Sequence, residues 1–452
     1  ELRGFELRGF ELRGFELRGF ELRGFELRGF GKGKSFCMQK FIVKVVVALV
    51  VLCGAGFYVY KTNDVNETYE NNEIKNNSNM LSMMLETSAG SGEYQKTSAS
   101  TWPTEGYVFN ESLSKCEKGS SLSWDYDKKQ VIFEGNSKDD CYIYFDKSIP
   151  LSNYVISQYT KIQGENNLYF HDSNLENGAK DGSYRYAGSS ETTNNFVCFG
   201  YDSTDGTCPT DYLYRIIGVF DNEVKLVKYD YAKSSLLGTD GDYVNTYELV
   251  GWGMSTKGNN ILSDIGAYYW NTNASDNLWS KSKLNIVNLN INYLNHIESR
   301  WKNLISTHTW KVGGNTWDNI ILTTVVETFK NEITSPATNI TYDAKIGLMY
   351  VSDYGYAASP SAWGIPLFNN NENDYRSSNV TSVNWLYMGL SEWTVMPSTS
   401  LSTHSYFVSN HGYVECSKVN YPALAIRPVF YLEYDVSYGG GIGTKIKPII
   451  IK

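Results

Sequence analysis

The chain contains little of what metal sites and nucleic-acid surfaces require. Its 452 residues include five histidines and seven cysteines, and none of them shows the His-x-x-x-His or Cys-x-x-Cys spacing of metal sites. The net charge is −9 and no basic stripe stands out, which argues against a nucleic-acid partner. We therefore expect no metal, no cofactor and no nucleic acid.

Proline is also scarce, at ten residues, whereas aromatic residues make up 15% of the chain. Disordered chains have the opposite bias, because they lack the aromatic side chains that build a core. The composition therefore excludes a largely disordered protein and predicts buried cores over most of the chain. The length allows about two or three domains.

One long apolar run, Phe41–Tyr60, lies near the N-terminus. It is about 20 residues long, the length at which a helix crosses a hydrocarbon core of about 30 Å. Lys40 and Lys44 at its start place the N-terminal side in the cytoplasm. We predict a transmembrane signal-anchor helix over 38–61, with membrane contact through 41–60. The protein is then a single-pass protein of the cell membrane whose C-terminal part is extracellular.

The N-terminal region supports two further hypotheses. Residues 1–30 are six copies of Glu-Leu-Arg-Gly-Phe, a period that matches neither a helix nor a strand. We expect segment 1–37 to be a disordered cytoplasmic flank, and we interpret the repeat as a translated DNA microsatellite upstream of a start at Met38. Gly54 and Gly56 offer small residues for signal-peptide cleavage, which is the alternative to an uncleaved anchor.

Five cysteines follow the apolar run and would lie outside the cell, where disulfides persist. Cys116 and Cys141 fall in one short β-rich segment, and Cys198 and Cys208 fall in another. We therefore predict the disulfides Cys116–Cys141 and Cys198–Cys208. Cys416 is the odd cysteine left over.

The segments around the main domain differ in composition. Residues 62–101 are rich in Asn, Ser and Gly and predict a polar tether, with a short helical turn at Met80–Leu85. Short β-prone runs over 102–148 predict a small β-rich module. Residues 436–452 are interpreted as a Gly-rich C-terminal tail. Within it, Tyr438–Gly443 lacks the context of a phosphate-binding loop and predicts a flexible linker.

The segment 149–435 combines strand and helix patterns. Leu213–Phe220 and Val224–Tyr229 flank Asp221-Asn222, a β-hairpin pattern. Ser282–Ile305 repeats apolar side chains at helical spacing. Strand-like runs with a few inserted helices predict an α+β domain.

Three sequence blocks in this domain resemble an uncharacterised family of membrane-anchored surface proteins of low-GC gut bacteria. They are SDYGYAASPSAW (Ser352–Trp363), NNFVCFG…CPTDYLYRIIGVF (Asn194–Phe220) and NWLYMGLSEWTVMP…AIRPVFYL (Asn384–Leu432). The C-terminal domain resembles the C-type-lectin-like fold, which formylglycine-generating enzymes also use. The resemblance implies a fold and a location at the cell surface. It carries no established activity.

Aromatic residues near the loops of the last third give the best case for function. In the fold that the resemblance implies, long loops between the later strands converge on one face, where ligands bind. We predict a ligand-binding face formed by Trp363, Tyr375, Arg376, Trp393, His404 and His411. Aromatic, amide and imidazole groups together suit glycan or protein ligands. We therefore expect a non-enzymatic extracellular binding or adhesion protein.

Two alternatives remain open. A cell-surface thiol-dependent enzyme would use Cys416 as nucleophile, His411 as base and Arg427 as oxyanion donor. It requires the thiol and an imidazole within hydrogen-bond reach in an open cleft, whereas we expect Arg427 to be a structural salt-bridge partner. A pilus-associated surface subunit is the second alternative, although the chain lacks a pilin-type processing motif.

Overall fold

The computed structural model describes most of the chain after residue 80. The described residues are 81–89, 91–103, 106–125, 128–135, 138–202, 206–245, 249, 264–316, 324–368 and 383–452. They belong to one unit, 67–452. The predicted anchor, the repeat and the first part of the predicted tether lie outside the described residues. Within the described residues, none of the helices is both long and apolar enough to span a bilayer.

The first described part of the chain forms a small sheet and a separate hairpin. Its strands are β1 (Leu81–Glu86), β2 (Tyr94–Lys96), β3 (Tyr107–Phe109), β4 (Lys115–Cys116), β5 (Ser121–Asp125), β6 (Gln130–Glu134) and β7 (Cys141–Lys147). The sheet has the order β2-β1-β7-β3, and β4 also pairs with β7, while β5 and β6 form the hairpin. Strands β1 and β7 are parallel, and the other neighbours are antiparallel.

Alternating side chains build the core of this sheet. In β7 the side chains of Cys141, Ile143 and Phe145 are buried, and those between them are more exposed. This period of two is that of a strand with one buried face. Cys116 in β4 lies directly opposite Cys141, and the two form the predicted disulfide.

The helical turn predicted at Met80–Leu85 is wrong for its described residues, because Leu81–Leu85 belong to β1. Met83 is buried in the core of the small sheet, and Leu81 and Leu85 pack against the same core. Their spacing of two residues suits a strand, and the pairing with β7 satisfies the backbone. The predicted tether over 62–101 therefore includes two strands of the sheet, β1 and β2.

The rest of the chain contributes the strands of a larger sheet and of two smaller ones. They are β8 (Ile149–Pro150), β9 (Leu168–Phe170), β10 (Tyr184–Tyr186), β11 (Phe196–Cys198), β12 (Leu213–Phe220), β13 (Glu223–Lys228), β14 (His308–Lys311), β15 (Thr341–Ala344), β16 (Ile346–Gly347), β17 (Glu392–Pro397), β18 (His404–Val408), β19 (Val414–Lys418), β20 (Val429–Tyr431), β21 (Ser437–Gly440) and β22 (Ile449–Ile451). Among the described residues, ten strands form one sheet in the order β16-β20-β13-β12-β11-β22-β21-β8, and β10 joins β12 to β9. The smaller sheets are β14-β15 and β17-β18-β19.

The predicted hairpin lies at the centre of the large sheet. β12 and β13 pair antiparallel, as the pattern predicts, and Asp221 and Asn222 form the turn with φ of 48° and 69°. Positive φ at both central residues is the geometry that matches the twist of the flanking strands. Cys198 at the end of β11 forms the second predicted disulfide, with Cys208.

The C-terminal segment is part of the large sheet, so the predicted flexible linker at Tyr438–Gly443 is wrong. β21 pairs with β8 and with β22, and β22 lies parallel to β11. Ile449 and Ile451 are buried in the main core. The apolar residues Ile449–Ile451 therefore form a strand of the large sheet, although the glycines before them suggested an unstructured tail.

The helices are short. They are α1 (Leu151–Ser157), α2 (Ser234–Leu237), α3 (Leu294–His296), α4 (Ser299–Asn303), α5 (Val325–Phe329) and α6 (Val351–Tyr356). A π-helical segment, Leu284–Tyr293, leads into α3, and a second one, Lys330–Thr334, continues α5. 3₁₀ turns occur at Glu165–Asn167, Thr210–Tyr212, Trp279–Lys281 and Pro360–Ala362. The described residues are therefore of the α+β class, rich in strands and with few helices.

The predicted helical region Ser282–Ile305 is helical in part, with a wider repeat than predicted. Leu289, Tyr293 and Trp301 are buried as the spacing predicts, but Ile286 is 38% exposed. A π-helix bonds each residue to the fifth one along. The wider turn moves Ile286 away from the buried face and buries Asn285 instead.

Candidate functional site

The two tryptophans of the predicted ligand-binding face are core residues, which corrects their assignment to a surface. Trp363 and Trp393 are 0% and 1% exposed. The indole N–H of Trp363 donates to the carbonyl oxygen of Ala358 at 2.9 Å. The indole N–H of Trp393 donates to the backbone carbonyl oxygen of Tyr268, also at 2.9 Å. Neither ring faces solvent, so neither provides a platform for a ligand.

The other predicted face residues do not assemble around these rings. Tyr375 and Arg376 lie outside the described residues. His404 begins β18, and His411 lies in the turn between β18 and β19, so the two imidazoles are at opposite ends of one strand. Burial and the nearby Lys418 lower the pKa of His404. A shared binding face is not formed by these two histidines.

The Cys416 thiol lies in β19, opposite Tyr406 of β18. Burial raises the pKa of this thiol to about 12, although a hydrogen bond with Ser398 opposes the shift. The thiolate is the nucleophilic form of cysteine. It is therefore disfavoured at neutral pH.

Arg427 serves a structural role instead of pointing toward a substrate. Its guanidinium donates to both carboxylate oxygens of Glu392, at 2.7 and 2.5 Å, and to the carbonyl oxygen of Leu386 at 2.5 Å. Both charged side chains are 2% exposed. Two nitrogens of Arg427, Nε and Nη2, are therefore engaged by Glu392 and Leu386 inside the core.

A different site lies beside the β12–β13 hairpin. A pocket of about 260 Å³ is lined by this hairpin, by β14 and by the start of α6. We call it the Lys225 pocket. Its floor holds the buried Lys225 and Asp353, and its rim holds the exposed side chains of Asp221, Thr309 and Lys311.

Lys225 sits in an aromatic box. Its Nζ lies 4.5 Å from the ring centroid of Tyr350 and 5.1 Å from that of Tyr431. The rings of Phe220 and Trp310 are each 5.6 Å away. The same Nζ donates to Oδ2 of Asp353 at 2.5 Å, and the two side chains are 1% and 3% exposed. Burial lowers the pKa of Lys225, although the attraction of Asp353 opposes this shift.

Asp353 is held by the start of its own helix. The residue is the third in α6, and its Oδ2 accepts a hydrogen bond from the backbone N–H of Tyr350 at 2.8 Å. A carboxylate at this position caps the free N–H groups of a helix and meets the positive end of its dipole. Local helix geometry therefore aims the carboxyl of Asp353 toward β13.

A second ion pair forms another wall of the pocket. Arg185 donates to Asp181 at 2.5 Å, and its guanidinium lies 4.6 Å from the centroid of Phe220 and 5.0 Å from those of Phe329 and Tyr356. Burial raises the pKa of Asp181, but Arg185 and hydrogen bonds from Ser183 outweigh it and leave the pKa below its usual range. Fixed charges of both signs therefore line the pocket.

A further buried carboxyl group, that of Glu332, is close enough to interact electrostatically with Lys225 and Asp353. It is fully buried, and its Oε2 accepts a hydrogen bond from the backbone N–H of Ser352 at 3.1 Å. Its Oε1 is buried with no hydrogen-bond partner among the described residues. Burial raises the pKa of Glu332 to about 8, so the group is mainly a neutral carboxylic acid at pH 7.

Two larger grooves lie between the small sheet and the large one. Their volumes are about 450 and 330 Å³. Phe109 lines both grooves. Beside the larger groove, Lys129, from the turn between β5 and β6, forms an ion pair with Asp435, which precedes β21. These grooves follow the junction of two folded parts, whereas the Lys225 pocket has charged groups held in place at its floor.

The pocket's key residues are far apart in the chain, which is why sequence patterns did not find them. Lys225 and Asp353 are separated by 128 residues. One signal was present: Lys225 interrupts the otherwise apolar middle of β13, Val224–Val227, and lysine is almost never fully buried unless it is paired. Nothing local identifies Asp353 as its partner.

Comparisons of the chain with family models, with curated proteins and with solved structures give no match. In the described residues, His, Cys, Asp and Glu side chains form no cluster that would hold a metal ion.

Proposed function

We propose that this chain is a membrane-anchored extracellular binding protein that holds one sugar ring of a glycan in the Lys225 pocket. The observation that carries the proposal is an aromatic-walled pocket whose polar groups are already fixed by ion pairs. Preformed pockets with a few oriented polar groups are typical of ligand sites. A pocket floor that is already fixed also loses little conformational freedom on binding, which favours affinity.

The size and charge of the pocket favour a sugar over a larger ligand. Its volume of about 260 Å³ lies just below the roughly 300–1,000 Å³ of sites for drug-sized molecules. Asp221 and Lys311 at the rim offer an acceptor and a donor for hydroxyl groups. The half-buried ring of Phe220 offers an apolar face for the C–H side of a sugar.

Location and fold complete the proposal. The run Phe41–Tyr60 with its lysine flank supports an anchor, and two disulfides support an oxidising exterior. We also propose that the large domain is C-type-lectin-like. Support comes from the resemblance of the block Asn384–Leu432, which includes β20, a strand that lies between β13 and β16 in the large sheet.

The test is a glycan array probed with the full-length chain in detergent, followed by binding measurements on rim variants. We expect Lys311→Ala and Asp221→Asn each to weaken a hit by about 10-fold or more, since a hydrogen bond to a charged group contributes about 1.5–3 kcal/mol. Lys418→Ala is the matched control, because Lys418 is exposed in β19 beside His404. Loss of binding in this control alone would move the site to the His404 surface and refute the pocket.

A further inference from the structure

The Lys225–Asp353 pair brings an amine and a carboxyl group into contact inside the core. Lys225 Nζ is 2.5 Å from Asp353 Oδ2, and the two side chains are 1% and 3% exposed. Four aromatic rings surround the amine, and the carboxyl group of Glu332 is buried nearby with one unpartnered oxygen. We propose that Lys225 and Asp353 condense to form an intramolecular amide bond, with Glu332 as the neighbouring acid that transfers protons.

The reaction balances without any further reactant. A proton first passes from the Lys225 ammonium to the Asp353 carboxylate, which leaves a neutral amine and a neutral carboxylic acid. The nitrogen lone pair then attacks Cγ of Asp353, so a C–N bond forms. One C–O bond to that carbon breaks, and its hydroxyl leaves as water with a proton from the nitrogen. Glu332 donates a proton to the leaving oxygen and recovers one from the nitrogen, and nothing is oxidised or reduced.

The surroundings favour the neutral form of the Lys225 amine and the protonated form of Glu332. A low-dielectric interior disfavours charged groups, and an amine that has lost its proton is the nucleophile. Burial lowers the pKa of Lys225 and raises that of Glu332 to about 8. The amine is therefore more easily deprotonated, and Glu332 holds a transferable proton at neutral pH.

The hydrogen bonds around Asp353 are compatible with an amide. Its Oδ2 accepts from the backbone N–H of Tyr350 at the start of α6. If Oδ2 remains as the amide carbonyl oxygen, this helix-capping bond is kept while the other oxygen leaves as water. The Lys225 pocket adjoins the pair, so the water has a route out of the core.

A plain salt bridge explains fewer of these features. Two charges buried together must overcome a large desolvation penalty. Here a second carboxyl group, that of Glu332, is buried close to them, and its unpartnered oxygen adds its own cost. Amide formation removes both charges of the pair and gives Glu332 a chemical role. It would also join β13, in the middle of the large sheet, to α6.

The test is mass spectrometry of the purified, full-length chain after disulfide reduction and trypsin digestion. The uncleaved Lys225 would link Ile216–Lys228 to Ile346–Arg376, with a joined mass equal to the sum of the two peptides minus one water. We expect this joined peptide to replace its separate components. Separate, fully cleaved peptides from the folded wild-type chain would overturn the proposal.

Variants separate the chemistry from folding. Lys225→Arg and Asp353→Ala should abolish the joined peptide. Glu332→Gln should keep the native circular dichroism spectrum but lower the joined fraction by at least 10-fold, and a joined fraction equal to the wild type would refute the role of Glu332. Lys228→Arg is the matched control, because Lys228 is buried in the same strand but donates to a backbone oxygen, that of Asp211. It should leave the link complete.

This inference does not rest on the proposed function. The mass of the joined peptide is measured without a ligand, and the glycan experiment uses the rim residues Asp221 and Lys311. A chain without the amide can still bind a sugar, and a cross-linked chain can fail to bind one. The two failures are therefore distinguishable.

Discussion

Removal of Arg427 should strongly destabilise the large domain. In Arg427→Met, three donated hydrogen bonds disappear, two to Glu392 and one to the carbonyl oxygen of Leu386. Breaking a buried pair by removing one partner costs about 3–5 kcal/mol, because the other charge stays buried without compensation. We expect the free energy of unfolding to fall by that amount. The measurement is urea denaturation followed by circular dichroism.

The loss should depend on pH, with a sign that the structure determines. Burial raises the pKa of Glu392, and Arg427 opposes this shift. Without Arg427 the folded-state pKa of Glu392 rises further, so the folded variant keeps a proton that the unfolded chain releases above about pH 4.3. Stability then falls as pH rises, by about 1.4 kcal/mol per unit until the folded-state pKa is reached. Between pH 5 and pH 7 the added loss is at most about 2.7 kcal/mol.

Arg215→Met is the matched control for this experiment. Arg215 is also a buried arginine in the same domain, but it donates to Asn195, Ser190 and two backbone oxygens, not to a carboxylate. Its loss should destabilise the protein with little change between pH 5 and pH 7. A double variant, Arg427→Met with Glu392→Leu, should recover most of the loss. A cost below about 1 kcal/mol for Arg427→Met, or the same pH slope in both single variants, would refute the reasoning.

Two other expected outcomes test the buried tryptophan and the topology. Trp363→Ala removes a fully buried indole and should lower the free energy of unfolding by about 3–5 kcal/mol, measured by urea denaturation, while the folded fraction keeps the glycan affinity of the wild type. Reduced affinity at unchanged stability would return Trp363 to a binding surface. Protease treatment of intact cells should release fragments from residues 102–432, and an ectodomain that is protected until the cells are lysed would contradict the proposed topology.

Local chemistry predicted the parts of the fold that depend on neighbouring residues. The turn Asp221-Asn222 follows from residues that tolerate positive φ between two apolar runs. Both disulfides follow from cysteines that are close in sequence. Arg427 forms the structural salt bridge that the sequence analysis expects, and its partner is Glu392. The turn and the disulfides could be predicted because the residues that form them lie in one short segment. The role of Arg427 could be predicted because a charged side chain in an apolar run needs a partner.

Tertiary context decided the parts that were predicted wrongly. The apolar run around Met83 suits a helix or a strand at that length, and the neighbouring β7 selects the strand. Trp363 and Trp393 come close to loops in sequence, but their N–H groups find backbone acceptors inside the core. A tryptophan with a satisfied N–H can be buried completely. Sequence proximity to a loop therefore does not predict exposure of such a ring.

The covalent links, taken with the proposed amide, are distributed over different parts of the chain. Cys116–Cys141 joins β4 to β7 in the small sheet, and Cys198–Cys208 closes the connection before β12. The amide would join β13 to α6 across 128 residues. Because the three links share no residues, their effects on the unfolded chain should be close to additive. Longer closed loops restrict the unfolded chain more, so the amide, if formed, would constrain it the most. The amide would also hold the floor of the Lys225 pocket in one position. Differences in glycan affinity between variants would then come from the rim residues Asp221 and Lys311 alone.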